Sequence, residues 1–153
     1  SITEKFRHRH PDFNLTTDII VGFPGETAED FQSTCNVVRD IGFSHIHTFK
    51  YSRRKGTRAD RLPDQVPEKI KTERSEIIRQ IGEENKRQYR SSLIGTNEHV
   101  LVEKSGRGMA RGYGEHFVPI SFPSGTAKKN SIHPVTILGI KDGEDPDLSG
   151  ELE

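Results

Sequence analysis

The 153-residue sequence predicts an α/β plus all-β fold, with one βαβ unit in its first half and a small antiparallel β-barrel in its second. Two strand-to-loop passages predict the first part. An apolar β-branched run at residues 19–21 enters a Gly-Phe-Pro-Gly turn before a helix, and residues 43–51 enter a basic, glycine-containing loop. The second part is predicted by short strands, separated by turns rich in Gly, Ser and Asn, that begin near residue 92.

The first half begins with the end of a helix and a buried strand. Residues 1–10 are predicted to end a helix at the proline that follows, and residues 15–22 to form a parallel strand covered on both faces. Thr27 is a favourable N-cap with Asp30 three residues later, a pattern close to a capping box. The helix that it opens should bury one face and end near Gly42. That face carries Phe31, Cys35 and Val38.

Residues 43–51 form the second predicted strand, in which side chains alternate between two faces. One face carries Phe43, His45, His47, Phe49 and Tyr51. A strand, a helix and a second strand in this order imply a parallel sheet. Because two strands and one helix cannot cover both faces of a sheet, we expect an exposed apolar sheet edge that either recruits a second copy of the chain or distorts.

The second half starts with a long predicted helix over residues 67–90, whose thin apolar stripe suits a helix that bridges two domains. The stripe consists of Ile70, Ile77, Ile78 and Ile81. Four short strands are predicted at residues 98–103, 108–113, 116–122 and 134–140. The chain therefore divides into an α/β region (1–66), a connecting helix (67–91), a barrel (92–141) and an acidic disordered tail (142–153).

Charge and cysteine content limit the classes of protein that the chain can belong to. Its 23 basic and 23 acidic residues cancel, but the last twelve residues carry six acids and no base, which is typical of a solvated, disordered end. Cys35 is the only cysteine, which excludes an internal disulfide framework and a cysteine-rich metal or Fe–S site within this chain.

No signal peptide or membrane span is evident, so a cytoplasmic setting is favoured. The chain starts with Ser on a helix-like stretch, and we expect it to be a piece of a longer protein.

The Gly-Phe-Pro-Gly-Glu elbow at residues 22–26 is the first candidate site. Gly22 and Gly25 would let a ligand approach the backbone, and Glu26 would meet a polar or cationic group on that ligand. Turns of this form equally often only shape a tight connection. The elbow lacks the Gly-Lys-Ser/Thr ending of a nucleotide P-loop, which excludes that kind of site.

Basic residues and histidines supply further candidates. Six Lys or Arg lie between Lys50 and Arg61, which would suit a polyanion such as RNA but is also typical of a solvated loop. In the predicted barrel, cations accompany aromatic residues, which suits single-stranded nucleic acid. These residues are Lys104, Arg107, Arg111, Lys128 and Lys129, with Tyr113, His116 and Phe117. His45 and His47 share a strand face but have no evident third ligand, so packing or substrate contact is favoured over a metal site.

Taken together, these segments resemble the radical S-adenosylmethionine methylthiotransferases. The matching motifs are TDIIVGFPGET-x-x-DF (17–31), GF-x-x-x-H-x-F-x-YS-x-R-x-GT (42–57), GT-x-x-x-VLVE (95–103), GY-x-x-x-FVPI (112–120) and PVTI (134–137). The resemblance covers about residues 10–140. It implies a partial TIM-like radical S-adenosylmethionine barrel represented by one βαβ unit, a linking helix, and a small antiparallel TRAM β-barrel that binds RNA.

The resemblance also implies a reaction, the addition of a methylthio group to C2 of a purine in tRNA. The chain looks most similar to the subgroup that modifies N6-threonylcarbamoyladenosine at position 37, with relatives that act on isopentenyladenosine tRNA or on ribosomal protein S12 as alternatives. Such enzymes use S-adenosylmethionine and [4Fe–4S] clusters. The cluster-binding Cys-x-x-x-Cys-x-x-Cys motif lies upstream in the family and is missing here, so we expect this chain to be inactive by itself. A stand-alone RNA-binding module without catalysis is the alternative from a different class.

The resemblance further implies site residues and partners. Ile20 and Gly22 would lie beside the adenine of S-adenosylmethionine with Glu26 as a polar contact, and Phe49 and Tyr51 would lie at the mouth of the site. The predicted cofactor-binding set is Ile20, Gly22, Phe23, Gly25, Glu26, Phe49, Tyr51 and Arg54. The predicted RNA-binding set is Arg53, Lys55, Arg58, Lys104, Arg107, Arg111, Tyr113, Phe117, Lys128 and Lys129. No catalytic or metal-binding residue is assigned, and the expected partners are the tRNA anticodon stem-loop and the upstream half of the same protein.

Overall fold

The computed structural model describes residues 2–143 and 146–153, and contains three α-helices, one 3₁₀ turn and seven strands in those ranges. The helices are α1 (Ile2–Arg9), α2 (Ala28–Ile41) and α3 (Glu68–Ser92), and the 3₁₀ turn is Ala59–Arg61. The strands are β1 (Thr16–Val21), β2 (His45–Lys50), β3 (Asn97–Gly106), β4 (Met109–Tyr113), β5 (Pro119–Pro123), β6 (Ile132–Ile140) and β7 (Leu148–Leu152). Ser1 of the predicted first helix, and Glu144 and Asp145 of the predicted tail, lie outside the described residues.

The chain forms two compact units, whose limits differ from the predicted ones. Residues 15–87 form the first, here called the sheet unit. The chain before residue 15, together with the chain after residue 87, forms the second, here called the barrel unit. The predicted boundaries at residues 66 and 91 assign α1 to the α/β region, whereas contacts group it with the barrel.

The sheet unit contains the predicted βαβ arrangement. Strands β1 and β2 pair in parallel, and Ile20 lies opposite Phe49. Helix α2 begins at the predicted capping box: the Thr27 hydroxyl accepts a bond from the Asp30 N–H, and the Asp30 carboxylate accepts one from the Thr27 N–H. The helix ends at Gly42, whose φ of 63° is the left-handed conformation that glycine adopts at low cost. The predicted βαβ order, capping box and helix end are confirmed. The prediction that β1 is covered on both faces is wrong, because no second layer of this unit packs on the face that carries Ile20, which is 58% exposed.

One face of the β1–β2 sheet packs on the helices. The core of this unit consists of Val21, Phe31, Cys35, Val38, Ile78 and Ile81. The predicted stripe on α3 is therefore right for Ile78 and Ile81, while Ile77 remains 39% exposed.

No helix among the described residues is both long enough and apolar enough to cross a membrane.

The barrel unit is a closed five-stranded barrel with the strand order β3-β4-β5-β7-β6. It corrects two predictions. The segment expected to be a disordered tail contains β7, and the barrel is mixed rather than purely antiparallel, because β7 pairs in parallel with β5. The physical reason is burial: Leu148 opens β7 with no exposed surface, inside the barrel core. That core also contains Leu93, Val100, Val102, Ala110, Val118, Ile120, Phe122, Ala127, Val135 and Ile137.

Residues of the N-terminal segment are attached to the barrel unit by hydrogen bonds. The Tyr89 hydroxyl donates to the carbonyl of Asp12 at 2.8 Å, and the Asn14 side-chain amide donates to the carbonyl of His116 at 2.5 Å. Burial, together with the negative charges of Glu98 and Asp12, holds the pKa of Tyr89 well above its usual value, so its hydroxyl keeps the proton that it donates.

Candidate functional site

The second face of the β1–β2 sheet is bare in the sheet unit. Ile20 is 58% exposed and its cross-strand partner Phe49 is 52% exposed, although the opposite face of the same strands is packed on helices. The other exposed positions on this bare face are Thr16, Asp18, His45 and His47. Two of the predicted cofactor residues, Ile20 and Phe49, thus form one apolar patch directed away from the core of the unit.

Glu26 braces the elbow that follows β1. One of its carboxylate oxygens accepts the N–H of Gly22 at 2.6 Å and that of Phe23 at 3.3 Å. The other oxygen lies 2.6 Å from the guanidinium of Arg74, and both side chains are largely buried. Both oxygens therefore already have partners inside the protein, and the contact of Glu26 with a ligand stays a prediction.

The two elbow glycines serve the shape of the chain itself. A Cβ on Gly22 would lie 2.4 Å from Cγ of Lys71, so the side chain of Lys71 packs closely against this glycine. Gly25 faces open space, but its φ of 86° favours glycine, and its N–H donates to the carbonyl of Asp64 at 2.9 Å. These contacts fix the elbow as a turn, and ligand binding by its glycines stays a prediction.

Sequence reasoning missed Lys71 and Arg74, two cations that are almost buried on α3. The ammonium group of Lys71 donates to the carbonyl of Tyr51 at 3.1 Å and lies 5.5 Å from the centre of the Tyr51 ring. A signal for them exists, because positions 71, 74, 78 and 81 follow the helical spacing of one face. Basic residues in line with Ile78 and Ile81 indicate cations that enter the packed side of the helix.

Phe23 and Tyr51 are brought together where the two strands end. Their rings meet edge to face, with centroids 5.2 Å apart, and the Tyr51 N–H donates to the carbonyl of Val21 at 2.8 Å. The Tyr51 hydroxyl is buried and has no hydrogen-bond partner among the described residues. Phe23 is 45% exposed, so its ring extends the apolar surface of this end of the sheet.

The basic loop after β2 is partly neutralised. The guanidinium of Arg53 bonds to the carboxylate of Asp60 at 2.9 Å and to its carbonyl at 2.8 Å. Lys50 lies 2.6 Å from Glu68, and its hydrogen bond lowers the pKa of that carboxyl. The three remaining predicted residues are exposed and make no ion pair within the described part of the chain. They are Arg54, Lys55 and Arg58.

Four cations line an open depression of about 450 Å³ on the barrel: Lys104, Arg107, Arg111 and Lys141. Arg111 makes two bonds to Asp147, at 2.7 and 2.9 Å, and lies over the Tyr113 ring. Burial alone would raise the pKa of Asp147, but the bonds from Arg111 and Ser121 outweigh it and hold that pKa below its ordinary value. Arg111 is therefore largely neutralised, whereas Lys104 and Arg107 have no acidic partner in the described ranges.

Two predicted RNA-binding residues occupy tight turns of the barrel in a conformation that is rare for their type. Arg107 (φ 53°) and Gly108 (φ 79°) form the two-residue turn between β3 and β4, which resembles a type I′ turn. Phe117 (φ 57°) lies between β4 and β5 and is 81% exposed. Lys128 and Lys129 are exposed in the connection before β6.

Comparison with known proteins finds relatives that identify the family of the chain. It is 42% identical over 122 residues to the threonylcarbamoyladenosine tRNA methylthiotransferase MtaB of Thermotoga maritima, a match that covers 79% of this chain and 28% of the relative. It is 34% identical over 150 residues to the MtaB of Chlamydia pneumoniae, covering 97% of this chain and 35% of the relative. The tRNA-2-methylthio-N(6)-dimethylallyladenosine synthase of Sorangium cellulosum is 49% identical over 104 residues, covering 68% of this chain and 20% of the relative. The chain belongs to the tRNA methylthiotransferase family.

The chain spans about a third or less of the length of these methylthiotransferases. No protein-family model matches it. The two kinds of relative differ in the adenosine derivative that their names contain, so membership of the methylthiotransferase family does not by itself select one substrate.

An Fe–S cluster, which the resemblance implies for methylthiotransferases, does not fit the residues present. Cys35 is 2% exposed in the core of the sheet unit, and burial raises the pKa of its thiol, so it is unsuited to be a thiolate ligand. No group of three or more His, Cys, Asp or Glu side chains within residues 2–143 and 146–153 could hold a metal ion. Cys35 is a packing residue of the α2 face.

Proposed function

We propose that the chain is part of a tRNA-modifying methylthiotransferase that acts on N6-threonylcarbamoyladenosine at position 37. In this proposal the sheet unit is a piece of a TIM-like radical S-adenosylmethionine barrel and the five-stranded barrel is a TRAM-type RNA-binding domain. The protein would act in the cytoplasm, where its tRNA substrate is found. The matches to two MtaB proteins, one of which covers almost the whole chain, support this substrate over the isopentenyladenosine alternative.

The bare sheet face supports the cofactor part of the proposal. Parallel strands of α/β barrels direct one face to helices and the other to the barrel interior, and ligands bind at the carboxyl ends of the strands. Ile20 and Phe49 lie on the face without helices, and the Phe23–Tyr51 pair lies where the strands end. These residues offer an apolar surface for the adenine of S-adenosylmethionine, which when bound supplies the methyl group of the reaction.

The elbow contributes rigidity to such a site. Because Glu26 accepts the N–H groups of Gly22 and Phe23, the backbone that carries the Phe23 ring is fixed without a ligand, and the ring packs edge to face on Tyr51. Preformed apolar sites lose less conformational entropy when they bind. In this chain Ile20, Phe23 and Phe49 would bind and orient the cofactor, while the residues that hold the clusters would come from another part of the protein.

The observation that carries the RNA part is the depression on the barrel, which Lys104 and Arg107 line without an acidic partner among the described residues. Exposed cations without a counter-charge bind phosphates and release counterions, so the affinity of such a surface for RNA depends on salt. The strand face beside it contributes the Tyr113 ring, under the guanidinium of Arg111.

The test is the binding of the 153-residue chain to a fluorescein-labelled tRNA anticodon stem-loop, measured by anisotropy at several salt concentrations. Replacing both Lys104 and Arg107 by Ala should weaken binding and reduce the slope of log K against log salt by about 1 to 2, roughly one per lost phosphate contact. Lys69→Ala is the matched control, because Lys69 is 86% exposed on α3. An unchanged affinity and slope in the double variant would remove the barrel depression from the RNA site.

A second experiment tests the substrate. Nucleosides of tRNA from cells without the corresponding gene are analysed by tandem mass spectrometry. Loss of the methylthio group from N6-threonylcarbamoyladenosine alone is expected, and loss from isopentenyladenosine instead would transfer the proposal to the other kind of relative. No change in any tRNA nucleoside would favour the stand-alone RNA-binding module.

A further inference from the structure

The turn between β4 and β5 exposes a phenylalanine ring in an energetically unfavourable backbone conformation. Phe117 is 81% exposed, although burial of its ring would be favourable, and its φ of 57° is a conformation that residues other than glycine rarely adopt. Such a conformation persists only where surrounding interactions fix it. The contacts of the neighbouring residues show what fixes it here.

A buried carboxylate holds this turn from inside the barrel. Glu98 on β3 is 2% exposed, and one oxygen accepts the N–H of Glu115 at 2.8 Å while the other lies 2.5 Å from Nδ1 of His116. A Cβ on Gly114 would lie 2.4 Å from the Glu98 carboxylate, so the glycine provides the space in which that group sits. The turn itself closes through the bond from the Phe117 N–H to the Gly114 carbonyl at 3.1 Å.

The same turn is held from the other side by the N-terminal segment of the barrel unit, where the Asn14 amide donates to the His116 carbonyl at 2.5 Å. Backbone and side chain of His116, the residue before Phe117, are thus both fixed. Burying a carboxylate is expensive unless it gains several bonds. Here those bonds all lead to the two residues that precede the exposed ring.

We propose that Glu98 is a positioning residue for RNA recognition: through Glu115 and His116 it holds the turn so that Phe117 presents its ring to an unpaired nucleobase. This inference rests on the proposed function, since it takes the ligand of the barrel to be RNA. A nucleobase is favoured as the occupant because the same barrel carries Lys104 and Arg107 for phosphates. An aromatic ring fixed on a barrel that also carries a cationic surface is the arrangement by which proteins stack single-stranded bases.

The chain contains no tryptophan, which permits a direct test. Phe117→Trp introduces a single indole whose fluorescence is quenched when a base stacks on it. We expect quenching on titration with an anticodon stem-loop that has unpaired loop bases, and no quenching for Phe6→Trp, an aromatic position of α1 that is 46% exposed. Phe117→Ala should weaken binding about 5-fold or more, with no change in the salt slope.

Two kinds of variant test the positioning role of the carboxylate in the Phe117→Trp background. His116→Ala removes the side-chain bond to Glu98 and should reduce the quenching of the introduced indole, whereas His116→Asn, whose amide can take the place of Nδ1, should restore it. Glu98→Gln should reduce quenching in the same way. A merely structural role of Glu98 would lower the melting temperature and leave the quenching amplitude of the folded protein as it was.

The outcomes separate this inference from the proposed function. If the chain binds RNA with a salt slope that depends on Lys104 and Arg107 but the indole introduced by Phe117→Trp is not quenched, the stacking role is wrong and the proposed function stands. Quenching that survives both Glu98→Gln and His116→Ala would overturn the positioning role alone. No RNA binding by the chain at all would overturn both. If Glu98→Gln fails to fold, the pair of His116 variants decides.

Discussion

Glu26 shows how a residue that sequence suggests for a ligand can be used by the fold itself. Its carboxylate joins two backbone N–H groups of the elbow to Arg74, 48 residues later in the chain. Both side chains of the ion pair are almost buried, with 11% and 14% of their surface exposed. Removing one member of such a pair leaves a charge without compensation in a poorly solvated place.

We therefore predict that Arg74→Met lowers the free energy of unfolding by about 3 kcal/mol. The double variant Glu26→Gln/Arg74→Met should lose less than the sum of the two single changes, because a neutral amide oxygen can still accept the Gly22 N–H. Urea denaturation followed by circular dichroism measures both. The exposed pair Lys69–Glu73 on α3, 3.9 Å apart, is the control, and breaking it should cost less than about 0.5 kcal/mol. Equal effects for the two pairs would contradict the bracing role.

Asp147 provides a prediction on pH. Its folded-state pKa lies below the ordinary 3.8, because the bonds from Arg111 and Ser121 outweigh the effect of burial. A carboxyl with a lowered pKa stabilises the fold fully above its unfolded pKa, and this contribution is lost as the pH falls through the folded pKa. The melting temperature of Asp147→Asn should therefore be clearly below that of the wild type at about pH 6, and the gap should shrink as the pH falls below 3.8. A gap that stays constant with pH would show that the charge of Asp147 is irrelevant.

The residues of the site differ in how far sequence could predict them. The capping box of Thr27 and Asp30 joins positions three residues apart, and local patterns determine it. The predicted alternation of residues 43–51 places Phe49 on one strand face, but the apolar run at residues 19–21 predicted a strand covered on both faces, so the exposure of Ile20 was not predicted. By contrast, the partner of Glu26 depends on how a distant helix packs, and no local pattern around residue 26 contains that information. The same holds for Arg111, whose partner Asp147 lies in a segment that was predicted to be disordered.

At the level of elements, β7 closes the barrel between β5 and β6. Leu148 is fully buried at its start, and the next inward position is Gly150, where a Cβ would lie 2.4 Å from Cγ1 of Val135. A strand whose first two inward positions are one leucine and one glycine gives almost no alternating signal. Six acids in the last twelve residues then dominate any prediction from composition. The four predicted strands leave the barrel one strand short of closure. Only this requirement, which depends on the whole barrel and not on the local sequence, indicates that the segment folds as a strand.

We predict that Leu148→Ala destabilises the chain by about 2–4 kcal/mol, because it removes a fully buried side chain and leaves a cavity in the barrel core. Leu138→Ala is the matched control on the neighbouring strand β6, since Leu138 is 53% exposed and should change stability by less than about 1 kcal/mol. The unfolding transition is measured by chemical denaturation and followed by near-ultraviolet circular dichroism. Equal stabilities of the two variants would mean that β7 is not a part of the folded barrel in solution.

For the molecule as a whole, the order of its parts was predictable and their limits were not. The predicted βαβ unit, the long helix and a small barrel all occur in sequence order, because each is defined by local periodicity. The division into units depends on long-range contacts, which place the chain before residue 15 with the barrel. Family membership adds what periodicity cannot, namely that these parts belong to a methylthiotransferase family, and the two matched MtaB proteins are about three times as long as this chain.

The bare face of the sheet unit exposes apolar surface to water when the chain is by itself. Ile20 and Phe49 expose more than half of their surface side by side on adjacent strands, and the proposed radical S-adenosylmethionine barrel would cover that face with other strands of the full protein. For the chain by itself we predict concentration-dependent association through this face, because the same face of a second copy can bury the exposed apolar surface of Ile20 and Phe49.

Ile20→Asp/Phe49→Asp should abolish this association, since it places two charges where two apolar side chains would be buried. Sedimentation velocity at increasing protein concentration measures it: the wild-type coefficient should rise, and that of the double variant should remain at the monomer value. Val37→Asp is the control, because Val37 is 52% exposed on α2 and does not belong to the bare face. A wild-type chain that remains monomeric at high concentration would show that the exposed Ile20–Phe49 patch alone is too small to hold two copies together.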